Sequence, residues 1–525
     1  MIPNLLRRRP LKATPRSFED RQRIVVVGSG INGLASGALL AKLGHTVQVL
    51  EANPDCIGGH ARTLEIEGLG FCAGPQYVWD FNEGRIGHRV LAFLGLEQDI
   101  PFVEMDRDAF ERFFVGEEKE GFDVPMGMDG FFRALAARFP AEERQLRRFF
   151  DVIKSFLECG RATIDKPPTR IPIPPLVRFL FSTGLSLRQK VGFLRGLRLT
   201  LRELFDHCEL SPEVRRYLYG RSGIFGENES TVQAAIYAIA TGFYHESARF
   251  PRDGFPALLD GLVSVIRNSG GSVDKGKRVV RLVKEKHRVV EVRCADGSRY
   301  PCDLVISNLS PRLTCALIEG CDTKTFRYEP SSSCAACFIG LRDYDIHDLI
   351  AQRNYWWQEG GQETDFWAPD MTDVRALLCM NSPTAKYANE AKRAGTRQSL
   401  SVYVAGNYDQ AREAYEGGEG RHEELKAKIA EGILSILDQR LFPGIRDHVI
   451  FAHVMTPVDI EVETGAERGN MYGRRLTPDM ARPIKTRHMA KNLFVVCATV
   501  GIPGIASGFN NATLLVKKLT GVEIL

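Results

Sequence analysis

The sequence predicts a doubly wound α/β domain with a second, discontinuous α+β domain, and three observations predict it. Ile24–Val27 is a short apolar run that leads straight into Gly28-Ser29-Gly30-Ile31-Asn32-Gly33, where a buried strand would hand over to a helix. Further buried-strand runs stand far downstream, at Asp303–Pro311 and within Asn492–Leu519, the latter ending in a Pro-Gly turn and a helical stretch. Between them lie long segments of different character. The first domain is therefore expected from residues 21–110, 245–312 and 485–525, and the second from residues 111–244 and 313–484.

Taken in order, residues 1–20 carry Arg7-Arg8-Arg9 without a following apolar h-region, so a disordered basic arm is expected there rather than a cleaved signal. The glycine motif follows the first strand, a small-residue helix runs to about Gly44, and Thr46–Leu50 reads as the next strand. That strand delivers Glu51, 23 positions after Gly28. Each part has a physical task in binding a dinucleotide. Gly28 allows the tight turn, Gly30 lets backbone approach a pyrophosphate, and Gly33 lets helix and strand pack closely. The N–H groups around Ile31, Asn32 and Gly33 open the helix and face the phosphates together with Ser29. Glu51, beside Ala52, can accept from ribose hydroxyls.

Gly58-Gly59, followed by His60 and Thr63, resembles the second signature of the flavin amine oxidase and phytoene desaturase superfamily. The resemblance implies FAD as the cofactor, on a Rossmann-like domain of the glycine-pair reductase type. It extends in three blocks over most of Ile24–Leu519. Phe71, Gly74 and Pro75 fit a Phe-Asp-x-Gly-Pro pattern in which Cys72 replaces the acid. Together with Arg252-Asp253-Gly254-Phe255 and the final Pro-Gly-helix, they resemble the phytoene desaturase and carotenoid isomerase branch more than the monoamine oxidases. The second block implies that backbone at Val279 pairs with adenine. The third implies that Ala498, Gly504, Ile505 and Ala506 face the flavin ring and ribityl chain, with Cys497 where a glycine is usual. His60 admits two readings, a titrating group near the flavin or a hydrogen-bonded packing residue.

Leu64–Phe71 reads as one strand, and residues from about 130 to 220 as mostly helical. Lys166–Arg202 holds eight cations, Lys166, Arg170, Arg178, Arg188, Lys190, Arg195, Arg198 and Arg202, and no acid. Leucine, valine and phenylalanine are interleaved with them. Such a segment suits peripheral contact with anionic lipid, and it equally suits a solvated basic helix packed by its apolar face. Gly270–Gly297 reads as short strands with an Asp296-Gly297 hairpin signal. Strands are expected at Ser331–Leu341 and Ser399–Val404, and a helix at Glu423–Leu437.

Composition removes several function classes. A net charge of +4 over 525 residues gives no case for nucleic acid. No apolar run reaches the 18 or so residues that span a bilayer. Twelve cysteines without framework spacing point to a reduced, cytoplasmic setting. The lone C-x-x-C, Cys334 to Cys337, sits in a strand-like run and is expected to be two buried core thiols. The eleven histidines show no ligand spacing, so no metal is expected. Trp356, Trp357 and Trp367 could line a substrate cavity or fill core, and core is the expectation.

The resulting expectation is an FAD-dependent oxidoreductase that desaturates, saturates or isomerises an apolar polyene or prenyl-like molecule, with desaturation favoured. No catalytic side chain is assigned, because the flavin carries the hydride chemistry, and no oligomeric state is assigned. Two rivals share the scaffold, an amine or amino-acid oxidase and a non-enzymatic prenyl-protein carrier. The intact glycine motif and Glu51 oppose the carrier.

Overall fold

The computed structural model describes residues 21–164, 184–360, 366–367 and 369–524. The basic leader, and Lys166, Arg170 and Arg178 of the basic stretch, lie outside the described residues.

Five strands form a wholly parallel sheet in the order Leu493–Val495, Leu304–Ser307, Arg23–Val27, Thr46–Leu50, Ser272–Asp274. The order brings together strands from all three expected blocks. Side chains alternate across a strand, so the two faces divide cleanly. Ile24, Val26, Val47, Val49, Leu304 and Ile306 enter a core with the helices Ile31–Lys42, Phe255–Asn268 and Ile505–Thr520. Val25, Val27 and Val305 meet an antiparallel meander of Val279–Glu285, Arg288–Cys294 and Arg299–Pro301 instead. The Rossmann-like fold is therefore helical on one face and covered by the meander on the other. Ile31–Lys42 is built of small residues because it is hemmed in. A Cβ on Gly37 would stand 3.3 Å from Val47 and 3.4 Å from Ile266.

A second, seven-stranded sheet runs Val449–Met455, Ser333–Arg342, Arg397–Gly406, Leu378–Asn381, Asn354–Gln358, Glu111–Val115, Phe122–Val124. All its pairings are antiparallel except that of Asn354–Gln358 with Glu111–Val115. Its outer face, with Ala335, Cys337, Ile339, Val402, Val404, Leu378, Met380, Trp357 and Phe114, packs with Leu425, Ile429 and Ile433 of the helix Glu419–Ile436. Its inner face turns toward the parallel sheet and the helices between Met128 and Glu246.

Several expectations need correction. Leu64–Phe71 is not one strand but a hairpin, Thr63–Ile66 and Leu69–Cys72, turned at Glu67 and Gly68 with φ of +50° and +75°. Cys315 and Cys321 are joined by a disulfide, unforeseen from their spacing. The short helix Pro311–Ala316 ends there, and the chain folds back to bring their Cα atoms to 5.5 Å. Cys334 is not a core thiol: three residues apart on a strand, Cys337 enters the outer core and Cys334 keeps accessible surface on the inner face. Of the described basic residues, Lys190 is buried and Arg202 pairs with Glu229 at 3.1 Å, so neither is an unopposed surface cation.

Candidate functional site

The glycine loop is shaped by contacts that leave no room for side chains. Gly28 turns at φ +90°, and its N–H donates to the Leu50 carbonyl at 2.8 Å. A Cβ on Gly30 would lie 2.4 Å from Asn308 Oδ1, and one on Gly33 would lie 2.4 Å from the Gly28 carbonyl. Asn308, at the end of the neighbouring strand, donates to the Val496 carbonyl at 2.9 Å and so ties the loop to the third block. The first-turn N–H groups of Ile31–Lys42 have no intrahelical acceptor and give the loop a partial positive charge.

Ser29 organises the rest of this end of the site. Fully buried, it donates from its backbone N–H (2.9 Å) and its hydroxyl to Glu51 Oε2, while the Gly58 N–H donates to the same hydroxyl at 3.1 Å. The Asn53 N–H donates to Glu51 Oε1 at 2.8 Å. Three of the four lone-pair positions of the Glu51 carboxylate are thus used, and one on Oε1 stays open to a diol. The Lys277 N–H donates to the Glu51 carbonyl at 2.7 Å, which brings the start of the strand Val279–Glu285 beside this acid.

The glycine pair continues the groove. Gly58 and Gly59 have φ of +105° and +57°, and a Cβ on Gly59 would lie 3.5 Å from the Gly30 Cα. His60 Nε2 donates to the Asn470 carbonyl at 3.0 Å, and burial lowers its pKa, so it is a neutral, hydrogen-bonded loop tie at pH 7. On the far side Gly473 presses on Ala498 and Thr499, where a Cβ would stand 2.5 Å from the Thr499 N–H nitrogen. Gly504, φ +104°, opens the helix Ile505–Thr520 near the Trp79 indole. Two helix N-termini, a run of tightly packed glycines and an acid are therefore gathered in one region. This arrangement fits FAD.

Beyond Gly74 and Gln76 the groove meets the inner face of the seven-stranded sheet. One cross-strand row there reads Phe113, Trp356, Cys379, Tyr403, Ala336. Cys334, Tyr244, Tyr403 and Tyr472 are half-buried deep in this region, Tyr244 and Tyr403 packed at the edge of the main core. We infer that these four stand on the wall of a cleft. The wall is mainly apolar and aromatic. Burial raises the three tyrosine hydroxyls well above the usual phenol range and pushes the Cys334 thiol up to about 12, so all four are neutral.

The charges around the cleft are paired. Glu111 is wholly buried and accepts from Tyr77 Oη (2.6 Å), Trp356 Nε1 (3.0 Å) and Arg221 Nη1 (2.5 Å). Arg221 Nη2 donates at 3.0 Å to His245 Nε2, whose Nδ1 donates to the Pro125 carbonyl at 2.9 Å. The other buried acids of the described residues are matched likewise: Asp80 with Arg161, Glu227 with Arg475 and Glu390 with Arg393. Lys386 is the contrast. It has no carboxylate within 4.0 Å, donates to Asn354 Oδ1 and, at 3.5 Å, to the Gln76 carbonyl, and burial pushes it down to about 7.

Of the residues singled out from sequence, Ser29, Glu51 and Gly58 are bonded together, Gly59 packs on Gly30, and His60 is tied to Asn470 in the loop whose Gly473 packs on Ala498 and Thr499. Val279 follows two residues after Lys277, whose N–H bonds the Glu51 carbonyl. Two side chains are not free for a ligand: Ser29 is used up by Glu51 and Gly58, and Asn32 is buried, accepting from Asn511 at 3.2 Å. Sequence reading missed Asn308, Gln76, Tyr244, Lys386 and the Asn470–Gly473 loop. No local motif marks them, because the chain brings them in from separate elements.

Comparison with known proteins agrees with this geometry. Residues 31–314 match the family described as flavin containing amine oxidoreductase. The chain is 22% identical over 526 residues to the all-trans-retinol 13,14-reductase of Danio rerio, covering 93% of this chain and 84% of that one. It is 22% identical over 472 residues to the 1-hydroxycarotenoid 3,4-desaturase of a Flavobacterium species, covering 86% and 88% of the two chains. The crystal structure of an oxidoreductase from Methanosarcina mazei superposes with a TM-score of 0.62 at 16% identity, over 94% of this chain and 100% of the other, a likeness of fold.

Proposed function

The chain belongs to the flavin containing amine oxidoreductase family and is an FAD-dependent oxidoreductase, and on that premise we propose that its substrate is an apolar polyene or prenyl-like molecule. The observation that carries this reading is an aromatic cleft in a protein where each buried carboxylate of the described residues is already matched by an arginine. A cationic amine would find no unpaired buried acid among the described residues, whereas a hydrocarbon chain needs none. Two relatives named for a retinol and a carotenoid support the same class. The intact cradle at Gly28–Gly33 and Glu51 speaks against a carrier that has no use for FAD.

FAD, when bound, supplies the acceptance or return of a hydride. The chain would hold it through backbone at Gly28, Gly30, Ile31, Gly33, Gly58 and Gly59, through Glu51 at the ribose and Val279 at the adenine, and through Ala498 and Gly504–Ala506 toward the ring. The cleft wall positions the polyene by shape and excludes water. Desaturation is the direction we favour.

No helix of the described residues is long and apolar enough to cross a membrane. We place the protein at the surface of an anionic membrane. The helix Leu187–Gly196 supports this, since Leu187 (71% exposed) and Val191 (38%) share its outer face with exposed Arg188 and Arg195, and exposed Arg198 follows. Such a face suits an interfacial contact. Anaerobic addition of a polyene precursor to the holoprotein should bleach the oxidised flavin band. Bleaching by simple amines while polyenes leave the band untouched would replace this reading with the amine oxidase.

A further inference from the structure

Of the twelve cysteines, Cys315 and Cys321 alone are joined, and the other ten are free thiols. The bond closes a small ring, its cysteines six positions apart. Stabilisation against unfolding grows with the number of residues a disulfide encloses, so a ring this small contributes least to the fold as a whole. Its consequences are local, and they fall on the FAD cradle.

One side of the ring braces the glycine loop. Cys315 follows Thr314, whose hydroxyl pairs with the Ser307 hydroxyl at 2.7 Å and donates to the Leu309 carbonyl at 3.4 Å. Ser307 and Leu309 flank Asn308, the residue that fills the space over Gly30 and Gly33. The other side grips the strand Val279–Glu285. The Leu282 N–H donates to the Leu317 carbonyl at 2.8 Å, and Arg281 pairs with Glu319. Both acceptors lie between the two cysteines. That strand opens at Val279, assigned above to the adenine, and just before it the Lys277 N–H holds the Glu51 carbonyl at 2.7 Å. The ring therefore ties the phosphate loop to the ribose and adenine end of the cradle.

Its two sulfurs are unequally reachable. Cys315 is fully buried, in the core that also holds Leu282, Val305 and Phe326, whereas Cys321 is half-buried and followed by exposed Asp322. A thiolate from outside meets Cys321 first, and disulfides with an accessible sulfur are the labile, regulatory ones.

The geometry points to Cys315–Cys321 as a redox switch on FAD affinity: the oxidised ring holds the ribose and adenine end of the cradle, and its reduction releases that end. The reductant is a dithiol. Its thiolate attacks Cys321 Sγ, the Cys315 sulfur leaves and takes up a proton, and the second thiol then displaces Cys321 from the mixed disulfide. Two electrons and two protons pass to the cysteines, the dithiol becomes a disulfide, and the flavin takes no part. With the ring open, the loop keeps only its turn bonds, Ile318 N–H to the Cys315 carbonyl at 2.9 Å and Cys321 N–H to the Ile318 carbonyl at 3.1 Å. Its hold on Arg281 and Leu282 then weakens. This inference concerns the cofactor end and does not depend on the polyene reading.

The test equilibrates holoprotein under argon with oxidised glutathione or with dithiothreitol, and counts thiols at Cys315 and Cys321 by alkylation and mass spectrometry. The oxidised flavin band checks that the flavin itself is not reduced. Release of fluorescent free FAD on dilution gives the affinity, and amide hydrogen exchange reports on the strand. Reduction should raise the FAD dissociation constant about fivefold or more, the worth of a lost hydrogen bond or two. It should speed exchange in residues 279–285 about tenfold while leaving residues 46–50 unchanged. Cys321→Ala, which opens the ring without altering the buried Cys315, should match reduced wild type and ignore dithiothreitol. Two released thiols with FAD affinity and exchange unchanged would leave the bond merely structural and overturn the switch. Free thiols at both positions after glutathione treatment, or a Cys321→Ala protein that answers dithiothreitol as wild type does, overturn it equally.

Discussion

Replacing Lys386 by methionine should stabilise the protein, and by more at low pH. Lys386 is 3% exposed, and its ammonium would have three protons to place, with Asn354 Oδ1 and a distant Gln76 carbonyl to receive them. Burial therefore holds it at about 7 when folded, against about 10.4 in an unfolded chain. Between those values the folded state binds fewer protons than the unfolded one, so stability rises with pH there and falls as pH drops toward 7; below that both states are charged and the cost levels off. Against a neutral side chain the cost is about 2 kcal/mol at pH 9, about 3 kcal/mol at pH 8 and about 4.5 kcal/mol at pH 6. Methionine fills a similar volume but forfeits two hydrogen bonds worth about 1 kcal/mol each. The net gain from Lys386→Met is then near zero at pH 9, about 1 kcal/mol at pH 8 and about 2.5 kcal/mol at pH 6. Urea unfolding of both holoproteins at the three pH values measures it. A difference that does not change with pH, or a variant less stable than wild type at pH 6, refutes the reasoning.

Three further outcomes follow from the same structure. Glu51→Ala should weaken FAD binding by about 1–3 kcal/mol, read by titrating apoprotein with FAD, and denatured wild type should release all its flavin, since the binding is expected to be non-covalent. Glu111→Gln leaves Arg221 charged and buried beside a neutral amide and should cost about 3–5 kcal/mol of stability, visible as a drop in the urea midpoint; an unchanged midpoint would mean that Arg221 finds another acceptor. Changing Arg188, Arg195 and Arg198 together to glutamate should abolish flotation with anionic vesicles, at about 1 kcal/mol per cation, and unchanged flotation would leave the basic face merely solvated.

What was legible in the sequence was what is local. The strand, glycine loop, helix and acid of Ile24–Glu51 form one contiguous unit whose chemistry is written in residue type and spacing. The final helix is readable because Pro503-Gly504 marks a turn just before an apolar period begins. The hairpin at Glu67-Gly68 escaped because a glutamate in the left-handed region leaves no sequence signal. Cys334 was misread because alternation says that Cys334 and Cys337 face opposite ways, but not which side is core. Lys190 was counted with the surface cations because periodicity in a short helix does not say which face its neighbours cover. Of the cleft only Trp356 was a candidate: its wall comes from Tyr77, Tyr244, Trp356, Tyr403 and Tyr472, on five separate segments.

Glu111 shows how those segments are made to agree. Its three side-chain donors lie 34, 110 and 245 residues away along the chain. They come from the loop after Gly74-Pro75, from the segment after the helix Pro212–Tyr219, and from the sheet strand Asn354–Gln358. A hydrophobic contact could form in several registers, but a buried carboxylate is tolerable only when Tyr77, Trp356 and Arg221 all reach it together. The parallel pairing of Asn354 with Glu111 sets the register at which Trp356 can do so. Arg221 in turn holds His245, the neighbour of Tyr244. The charge cluster thus fixes the depth of Tyr77, Trp356 and Tyr244 around one cleft, and a Glu111→Gln variant that still folds should show a broadened flavin band when it meets a polyene, even though Glu111 itself lies behind the wall.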